Sequence, residues 1–261
     1  MDNLVYHSVV PANDNSLGFT EFNTIDFELE VEGRKLIPNS IRVDFDLEVF
    51  ESTGVRTNNK RVAVDNYIGG HAFFESWQVS TQSQGLLSNE QEYSRWAKTF
   101  FSATLDADDT NSAYAQAEGR SCHPACGEVP VEQVANHGSD AAATLIDNAL
   151  TIKPLISLNR MMGDGYSFSK NGFIRVSCNL ARNNNALYGA DAVATTSYTL
   201  KNVRLRFTTM PDNGKQGKML MNSYTNIKAT SNSQAFTIDS KVPSKLVNGV
   251  VINFIDQARE N

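Results

Sequence analysis

Thiol and imidazole side chains gather in one stretch of the 261-residue chain, where Cys122, His123 and Cys126 precede His137. Thiolate sulfur and imidazole nitrogen are the ligands that zinc prefers in proteins. Zinc motifs usually combine two closely spaced pairs of ligands, however, and no second pair accompanies this one. An ordinary loop is therefore the favoured interpretation, and we predict no metal site.

Carboxylates gather upstream of this stretch, at Asp106, Asp108 and Asp109. Their oxygens are suitable calcium ligands, but the glycine and the bidentate glutamate of an EF-hand loop are absent at the required places. A solvated acidic loop is the simpler interpretation of these residues.

His71 is the histidine best placed to act as a general base, because it lies between a Gly-Gly turn and Phe73, with Asp65 upstream. No nucleophile motif such as Gly-x-Ser-x-Gly accompanies it. A single histidine in an aromatic block is typical of a packed, hydrogen-bonded core residue. We therefore predict that His71 packs at the start of a strand, and that the protein has no catalytic residues and is not an enzyme.

A sugar-binding platform is a further possibility, because Tyr and Phe residues could form one. Residues 163–168 read GDGYSF, which predicts a turn and does not match a phosphate-binding loop. Asp164, Tyr166 and Asn171 are the candidate sugar ligands. Most aromatic residues fall at inward positions of predicted strands, so core packing is favoured over a platform.

The overall composition limits the classes of partner that the protein can have. The formal net charge is −6, which opposes broad binding to nucleic acid. No apolar run reaches the roughly 18 residues that a membrane-spanning helix needs. The chain contains 3 cysteines, too few for a disulfide framework, and a reducing compartment is expected.

Alternation of apolar and polar residues is the dominant pattern, and it predicts strands with one buried face. It covers residues 25–31 and 41–49, with a turn at 33–40 between them, and recurs at 174–180 and 203–207. Three weaker strands are predicted at 149–158, 236–238 and 250–255.

One helix is predicted over residues 89–103, with Ser88 or Asn89 as its cap and a buried stripe formed by Tyr93, Trp96, Ala97 and Phe100. Long polar segments at 104–147 and 182–196 connect the strands. This order of elements predicts an all-β, two-sheet sandwich of the jelly-roll type.

Four sequence features follow one another along residues 19–211. They are an Asn and Gly-His segment with two large apolar residues (Asn66, Gly70, His71, Phe73, Phe74), two helix aromatics (Tyr93, Trp96), a Pro-Leu step (Lys153, Pro154, Leu155) and alternating closing-strand residues (Tyr198, Val203, Leu205, Phe207). This order resembles the first jelly roll of double-jelly-roll viral capsid proteins, the lineage of tailless icosahedral phages, adeno-like viruses, virophages and large DNA viruses. Residues 81–85 depart from the Asn-Gly turn that the family often has there.

The resemblance implies a jelly roll with one inserted helix, standing alone or as the first of two rolls. It divides the chain into an N-terminal arm (residues 1–17), a jelly-roll domain (18–212) and a C-terminal segment (213–261). The last either begins a second jelly roll or serves as an assembly arm.

The implied function is that of a structural capsid protein, first of all the major capsid protein. Its expected partners are copies of itself in a trimer, neighbouring capsid proteins and an internal membrane. It would be made in the host cytoplasm and reside in the virion, without a cofactor and without direct nucleic-acid binding. The alternatives are a single-roll vertex or minor capsid protein, a carbohydrate-binding module and, third, a cupin-type enzyme, against which the 4 scattered histidines argue.

Overall fold

The computed structural model describes residues 3–13, 16–51, 62–65, 68–104, 118, 128–130, 149–152, 165–189 and 196–214. The chain divides into two units, Met1–Tyr224 and Thr225–Asn261, and every described residue lies in the first unit. The strands predicted at 236–238 and 250–255 lie outside the described residues.

Strands dominate the described part of the chain. They are β1 (Val5–Val9), β2 (Thr24–Leu29), β3 (Arg34–Leu36), β4 (Arg42–Glu51), β5 (Val62–Asp65), β6 (Phe74–Thr81), β7 (Gly85–Gln91), β8 (Glu128–Pro130), β9 (Ala149–Ile152), β10 (Tyr166–Ser167), β11 (Ile174–Leu180), β12 (Tyr188–Gly189) and β13 (Thr196–Pro211). The helical elements are a 3-10 helix (Gly69–Phe73), α1 (Tyr93–Thr104), α2 (Phe168–Asn171) and α3 (Asn183–Ala186).

Strand pairing is nested. β1 pairs with β13, β2 with β11, β4 with β9 and β6 with β7, and all four pairs are antiparallel. The first of these eight strands therefore pairs with the last, and the two middle strands pair with each other. Eight strands paired in this way form a long hairpin rolled into two sheets, which is the jelly-roll arrangement. The predicted fold class is confirmed.

The pairs are distributed alternately over two sheets. The first sheet has the order β10-β3-β13-β4-β9, and β1 also pairs with β13, on the side opposite to β3 and β4. The second sheet has the order β2-β11-β6-β7. A separate small sheet joins β12, β5 and β8. β3 and β4 pair with successive stretches of the same side of β13, because β1 occupies its opposite side.

The core lies between the two sheets and follows from the alternation in the sequence. Every second residue of β2 and β11 is buried, and the polar residues between them are not. Phe45 of β4 makes edge contacts with Phe73 and Phe74, and Phe73 contacts Tyr198 of β13. Burial of each such ring contributes about 1.5–3 kcal/mol. The strands predicted at 25–31, 41–49, 174–180 and 203–207 are confirmed.

The predicted helix begins later than residue 89. Asn89 and Glu90 belong to β7, where they pair with Gln78 and Trp77 of β6. Glu92 has φ 51°, a left-handed conformation that separates the strand from α1. The placement of a helix cap at Ser88 or Asn89 was wrong, because cross-strand pairing outweighs a local helical pattern.

Two other segments contain strands that the sequence did not predict. The segment 33–40, predicted as a turn, contains β3, and within the predicted N-terminal arm Val5–Val9 form β1. The domain boundaries at 17 and 212 stay a prediction.

The antiparallel pairs place the ends of the described sandwich strands at two opposite ends of the sandwich. At one end β4, β7 and β11 finish and β13 begins, so the segments 52–61, 92–148 and 181–195 all start there. We name this the loop end. At the opposite end lie the segments 30–33, 82–84 and 168–173, and we name it the turn end.

Candidate functional site

His71 lies in the 3-10 helix that leads into β6 at the loop end. Its side chain is fully buried, at 0% exposure. The helix is fixed by hydrogen bonds from His71 N to Ile68 O, 3.0 Å, and from Gly70 N to Glu118 O, 2.8 Å. The packing position predicted for His71 at the start of a strand is therefore observed.

The His71 ring joins α1 to the sandwich. Its Nδ1 lies 2.8 Å from the hydroxyl of Tyr93, the first residue of α1. The ring also meets Phe101 edge-on, with centroids 5.2 Å apart. Tyr93 in turn packs against Trp77 of β6.

The buried stripe of α1 differs from the predicted one by its phase. Tyr93, Ala97 and Phe101 are buried, whereas Trp96 is partly buried and Phe100 is 38% exposed. Tyr93 and Ala97 were correctly predicted, and the buried face continues at a spacing of four residues to Phe101 rather than to Phe100.

Glu118 completes the polar cluster that we name the loop-end node, made of His71, Tyr93 and Glu118. Its carboxylate oxygen lies 3.9 Å from His71 Nε2, and the side chain is buried. Because Glu118 lies in the long segment between α1 and β8, the node connects that segment to the core. No pattern in the sequence pairs Glu118 with His71, since a contact across so many residues leaves no local signal.

Asp65 of β5, the acidic residue upstream of His71, forms an ion pair with Lys98 of α1. It thus ties the small sheet to the helix. A general base must reach the proton that it removes, and His71 is enclosed by Tyr93, Phe101 and Glu118. The node can hold elements together, but it offers no surface to a substrate.

The sugar-platform candidates are not arranged as a platform. Tyr166 is buried, and its hydroxyl donates to the carbonyl oxygens of Asn171, at 2.9 Å, and Gly172, at 3.2 Å. Burial raises the pKa of Tyr166 to about 12. Asn171 Nδ2 donates to Ser167 O at 3.1 Å, so both residues stabilise the turn end.

A cleft of about 730 Å³ opens at the turn end between segments 30–33, 82–84 and 168–173. Its polar walls include Glu30, Glu32, Gln82 and Lys170. Charges of both signs line it, and it holds no buried catalytic group.

The candidate metal ligands and one candidate sugar ligand lie outside the described residues: Cys122, His123, Cys126, His137, Asp106, Asp108, Asp109 and Asp164. Within the described ranges, no group of three metal-ligating side chains occurs, and no helix is long and apolar enough to cross a membrane. Cys178 is buried in the core, where burial raises the pKa of its thiol and keeps it unreactive.

β1 forms the outermost described strand of the first sheet, beside β13. His7 fixes it there: its ring stacks on Phe207 at 4.8 Å, and Nε2 lies 2.8 Å from Thr209 Oγ1. Arg34 Nε donates to the same hydroxyl oxygen at 2.7 Å. Burial, and then the Arg34 guanidinium, hold the pKa of His7 below its ordinary value of 6.5.

Solved structures of viral capsids show similarity to this chain. The PBCV-1 virus capsid is 14% identical with a TM-score of 0.47, over 82% of this chain and 44% of that chain. The Sputnik virophage structure is 9% identical with a TM-score of 0.43, over 82% and 49%. The mavirus major capsid protein is 9% identical with a TM-score of 0.38, over 79% and 46%. The chain thus spans less than half the length of each of these chains.

No protein-family model matches the sequence, and no curated protein matches it.

Proposed function

We propose that this chain is a structural protein of an icosahedral viral capsid, acting as a jelly-roll building block of the shell. The observation that carries the proposal is the nested pairing of eight strands, from β1 with β13 to β6 with β7. Jelly rolls of this design serve mainly as viral capsid domains, lectins and cupins.

The cupin use needs a feature that the described residues lack, and the lectin use finds no support at the candidate residue Tyr166. A cupin needs a cluster of metal-ligating side chains inside the roll, and none occurs in the part of the chain that the structure describes. A lectin platform needs exposed aromatic rings beside polar side chains, whereas Tyr166 is buried and bonded to backbone carbonyls. A capsid protein needs only a rigid sandwich and extended surfaces for contact, and the absence of enzymatic activity follows from this role.

The arrangement of the two ends suits a shell subunit. The sandwich provides a rigid body, and the long segments 52–61, 92–148 and 181–195 all depart from its loop end. We assign these segments to contacts between subunits and to the outer surface. The node of His71, Tyr93 and Glu118 would then hold Glu118, which belongs to the longest of them, against the core.

The finer assignment is the major capsid protein, organised as a trimer of copies of this chain. Residues 1–17 serve as an arm, residues 18–212 as the jelly roll, and residues 213–261 as the start of a second roll or as an assembly arm. The protein resides in the virion after synthesis in the host cytoplasm, and it contacts neighbouring capsid proteins and an internal membrane. The net charge of −6 disfavours direct contact with nucleic acid.

The oligomeric state of the purified full chain tests the proposal. Multi-angle light scattering and electron microscopy would report a trimer, and higher assemblies at high concentration, for a major capsid protein. A pentamer would point to the vertex protein. A monomer that forms no assembly and binds a glycan array would overturn the capsid function in favour of a carbohydrate-binding module.

A further inference from the structure

β1 has an open edge in the described part of the chain. It pairs with β13 on one side, and no described strand lies on its other side. Residues 3–10 read NLVYHSVV and contain no Asp, Glu, Lys, Arg or Pro. Natural proteins protect sheet edges with such residues, because an uncharged edge strand pairs readily with another chain.

The corresponding edge of the second sheet shows the usual protection. β2 carries Asp26 and Glu28 at its outward positions. Its edge is also covered by Asn13, whose Nδ2 donates to Thr24 O at 2.7 Å and whose Oδ1 accepts from Asp26 N at 3.0 Å. The lack of protection at β1 is therefore a local property and not a general habit of this fold.

Apolar side chains line the outward face of β1. Leu4 is 44% exposed, Tyr6 is 80% exposed and Val10 is 54% exposed. They share one face because alternate residues of a strand point the same way, while His7 points inward onto Phe207. A row of three large apolar side chains beside an open edge is a surface on which another strand can lie.

We propose that β1 is a docking strand for a second copy of this chain, and that two β1 strands pair antiparallel across a two-fold axis centred on His7. The sequence favours a second copy as the occupant, because residues 4–10 are nearly symmetric in polarity about His7. Opposite residues of an antiparallel pair lie on the same face. Leu4 then faces the partner's Val10 at two symmetry-related places, and each Tyr6 faces the partner's Ser8.

Such a contact is small. A single pair of strands buries far less than the roughly 1,200 Å² of a stable interface, so it is weak between free molecules. In an assembly of many copies, the effective concentration of neighbouring strands strengthens it without any new contact. The inference deepens the proposed shell function and rests on it for this many-copy setting.

Disulfide trapping tests the pairing and its register. Two full-length variants, Tyr6→Cys and Ser8→Cys, are oxidised separately and as a mixture, and products are separated on a non-reducing gel. The pairing predicts a covalent dimer in the mixture, because positions 6 and 8 face each other across the axis. Peptide mapping by mass spectrometry distinguishes the introduced cysteines from Cys122, Cys126 and Cys178.

Each variant alone is the matched control. Two equivalent positions lie diagonally across the axis, farther apart than a disulfide reaches. No cross-link in the mixture, or equal cross-linking of either variant alone, would overturn the pairing centred on His7.

A charged substitution in β1 tests the contact without a cross-linking reaction. Tyr6→Lys should weaken self-association at least about tenfold in sedimentation velocity, because it puts an unpaired charge at the centre of the contact. Leu86→Lys is the control, since Leu86 is 61% exposed on a different edge strand, β7. Circular dichroism verifies that both variants are folded, and equal self-association of the two would overturn the inference.

The same samples separate this inference from the proposed function. Particles or trimers observed together with an absent β1 cross-link would reject the docking strand and leave the capsid function standing. A β1 cross-link in a protein that never forms higher assemblies would reject the capsid function and leave the docking strand standing.

Discussion

The loop-end node and Tyr166 at the turn end satisfy their buried polar groups by different means. In the node the partners are side chains: the ring of His71 lies between the Tyr93 hydroxyl and the Glu118 carboxylate. At Tyr166 the partners are backbone atoms, because its hydroxyl donates to Asn171 O. The node therefore depends on residue identity, and the contacts of Tyr166 depend on backbone conformation.

This difference matches the length of the connections. The short segment 82–84 is held by nearby atoms, since Gln82 N donates to Phe173 O and Gln84 N donates to Thr81 Oγ1. Glu118 lies in the much longer stretch between α1 and β8, and it contacts the core through both its backbone oxygen and its side chain. Four experiments test or limit this contrast.

Replacement of His71 should have the largest effect. His71→Ala removes a fully buried ring and leaves Tyr93 and Glu118 without their shared neighbour, at a cost of about 3–5 kcal/mol in the free energy of unfolding. The turn-end control is Asn171→Ala, whose amide bonds a backbone carbonyl in a half-buried turn, and whose cost should be about 1 kcal/mol. Urea denaturation measures both, and equal costs would contradict the contrast.

Two glycines beside strands that lead to the turn end, Gly165 before β10 and Gly85 at the start of β7, test its dependence on backbone conformation. Gly165 has φ +92°, and a Cβ there would lie 2.2 Å from the backbone oxygen of Leu36. Gly165→Ala should therefore cost about 2–4 kcal/mol. Gly85 has φ +69° with open space around it, so Gly85→Ala should cost only about 1–2 kcal/mol. A Gly165→Ala protein as stable as Gly85→Ala would show that the turn end rearranges freely.

Two tyrosines make a smaller, matched comparison. Tyr93→Phe removes the hydroxyl that contacts the buried His71 Nδ1, and should cost about 1–3 kcal/mol because that nitrogen is out of reach of water. Tyr166→Phe frees half-buried backbone carbonyls that water can reach, and should cost about 0.5–1.5 kcal/mol. Thermal unfolding of the pair gives the order, and a reversed order would place the critical hydroxyl at the turn end.

The smallest effect concerns His7, a side-chain contact near the turn end and thus an exception to the contrast. Its pKa is lowered by burial and by Arg34, the charge that faces it from β3. As the pH falls through 6.5, His7 binds a proton more readily when β1 is detached from β13 than when the two strands are paired. Acid therefore weakens the pairing of β1 with β13. Amide hydrogen exchange over residues 5–9 should be faster at pH 5.5 than at pH 7.5 after correction for intrinsic rates.

His7→Gln is the control for this exchange experiment, because glutamine keeps a polar group but does not titrate. Its exchange should show no such dependence on pH. If the variant keeps the full dependence, the titrating group lies elsewhere.

The sequence predicted those parts of the fold in which one face of a strand is buried. Apolar and polar residues alternate from Ile25 to Leu29 and from Ile174 to Leu180, because one face of each strand meets the core and the other meets solvent. This pattern can be recognised within a few neighbouring residues. β7 was mistaken for the beginning of a helix because its residues have no alternation of their own. Their strand conformation comes from pairing with β6, including Val79 opposite Ser88.

The loop-end node was predicted only in part. The buried position of His71 could be inferred from its aromatic neighbours, and Tyr93 from its helical spacing. Glu118 could not, since it contacts His71 through a fold that brings distant segments together. The lack of a described strand on the second side of β1 was equally hidden, because nothing in residues 5–9 indicates which strands lie beside them.

The nested pairing also sets the order in which the protein can be completed during synthesis. β6 and β7 are joined by a short turn, so this innermost hairpin can form as soon as it leaves the ribosome, whereas β1 must wait for β13. His7 and Thr209 are separated by 202 positions, and at about 5–20 residues per second the first strand waits about 10–40 s for its partner. The uncharged stretch 3–10 is thus exposed throughout translation, and we expect chaperones to bind there. We also expect refolding to be slow, and loss of β13 by C-terminal truncation to leave β1 without its partner.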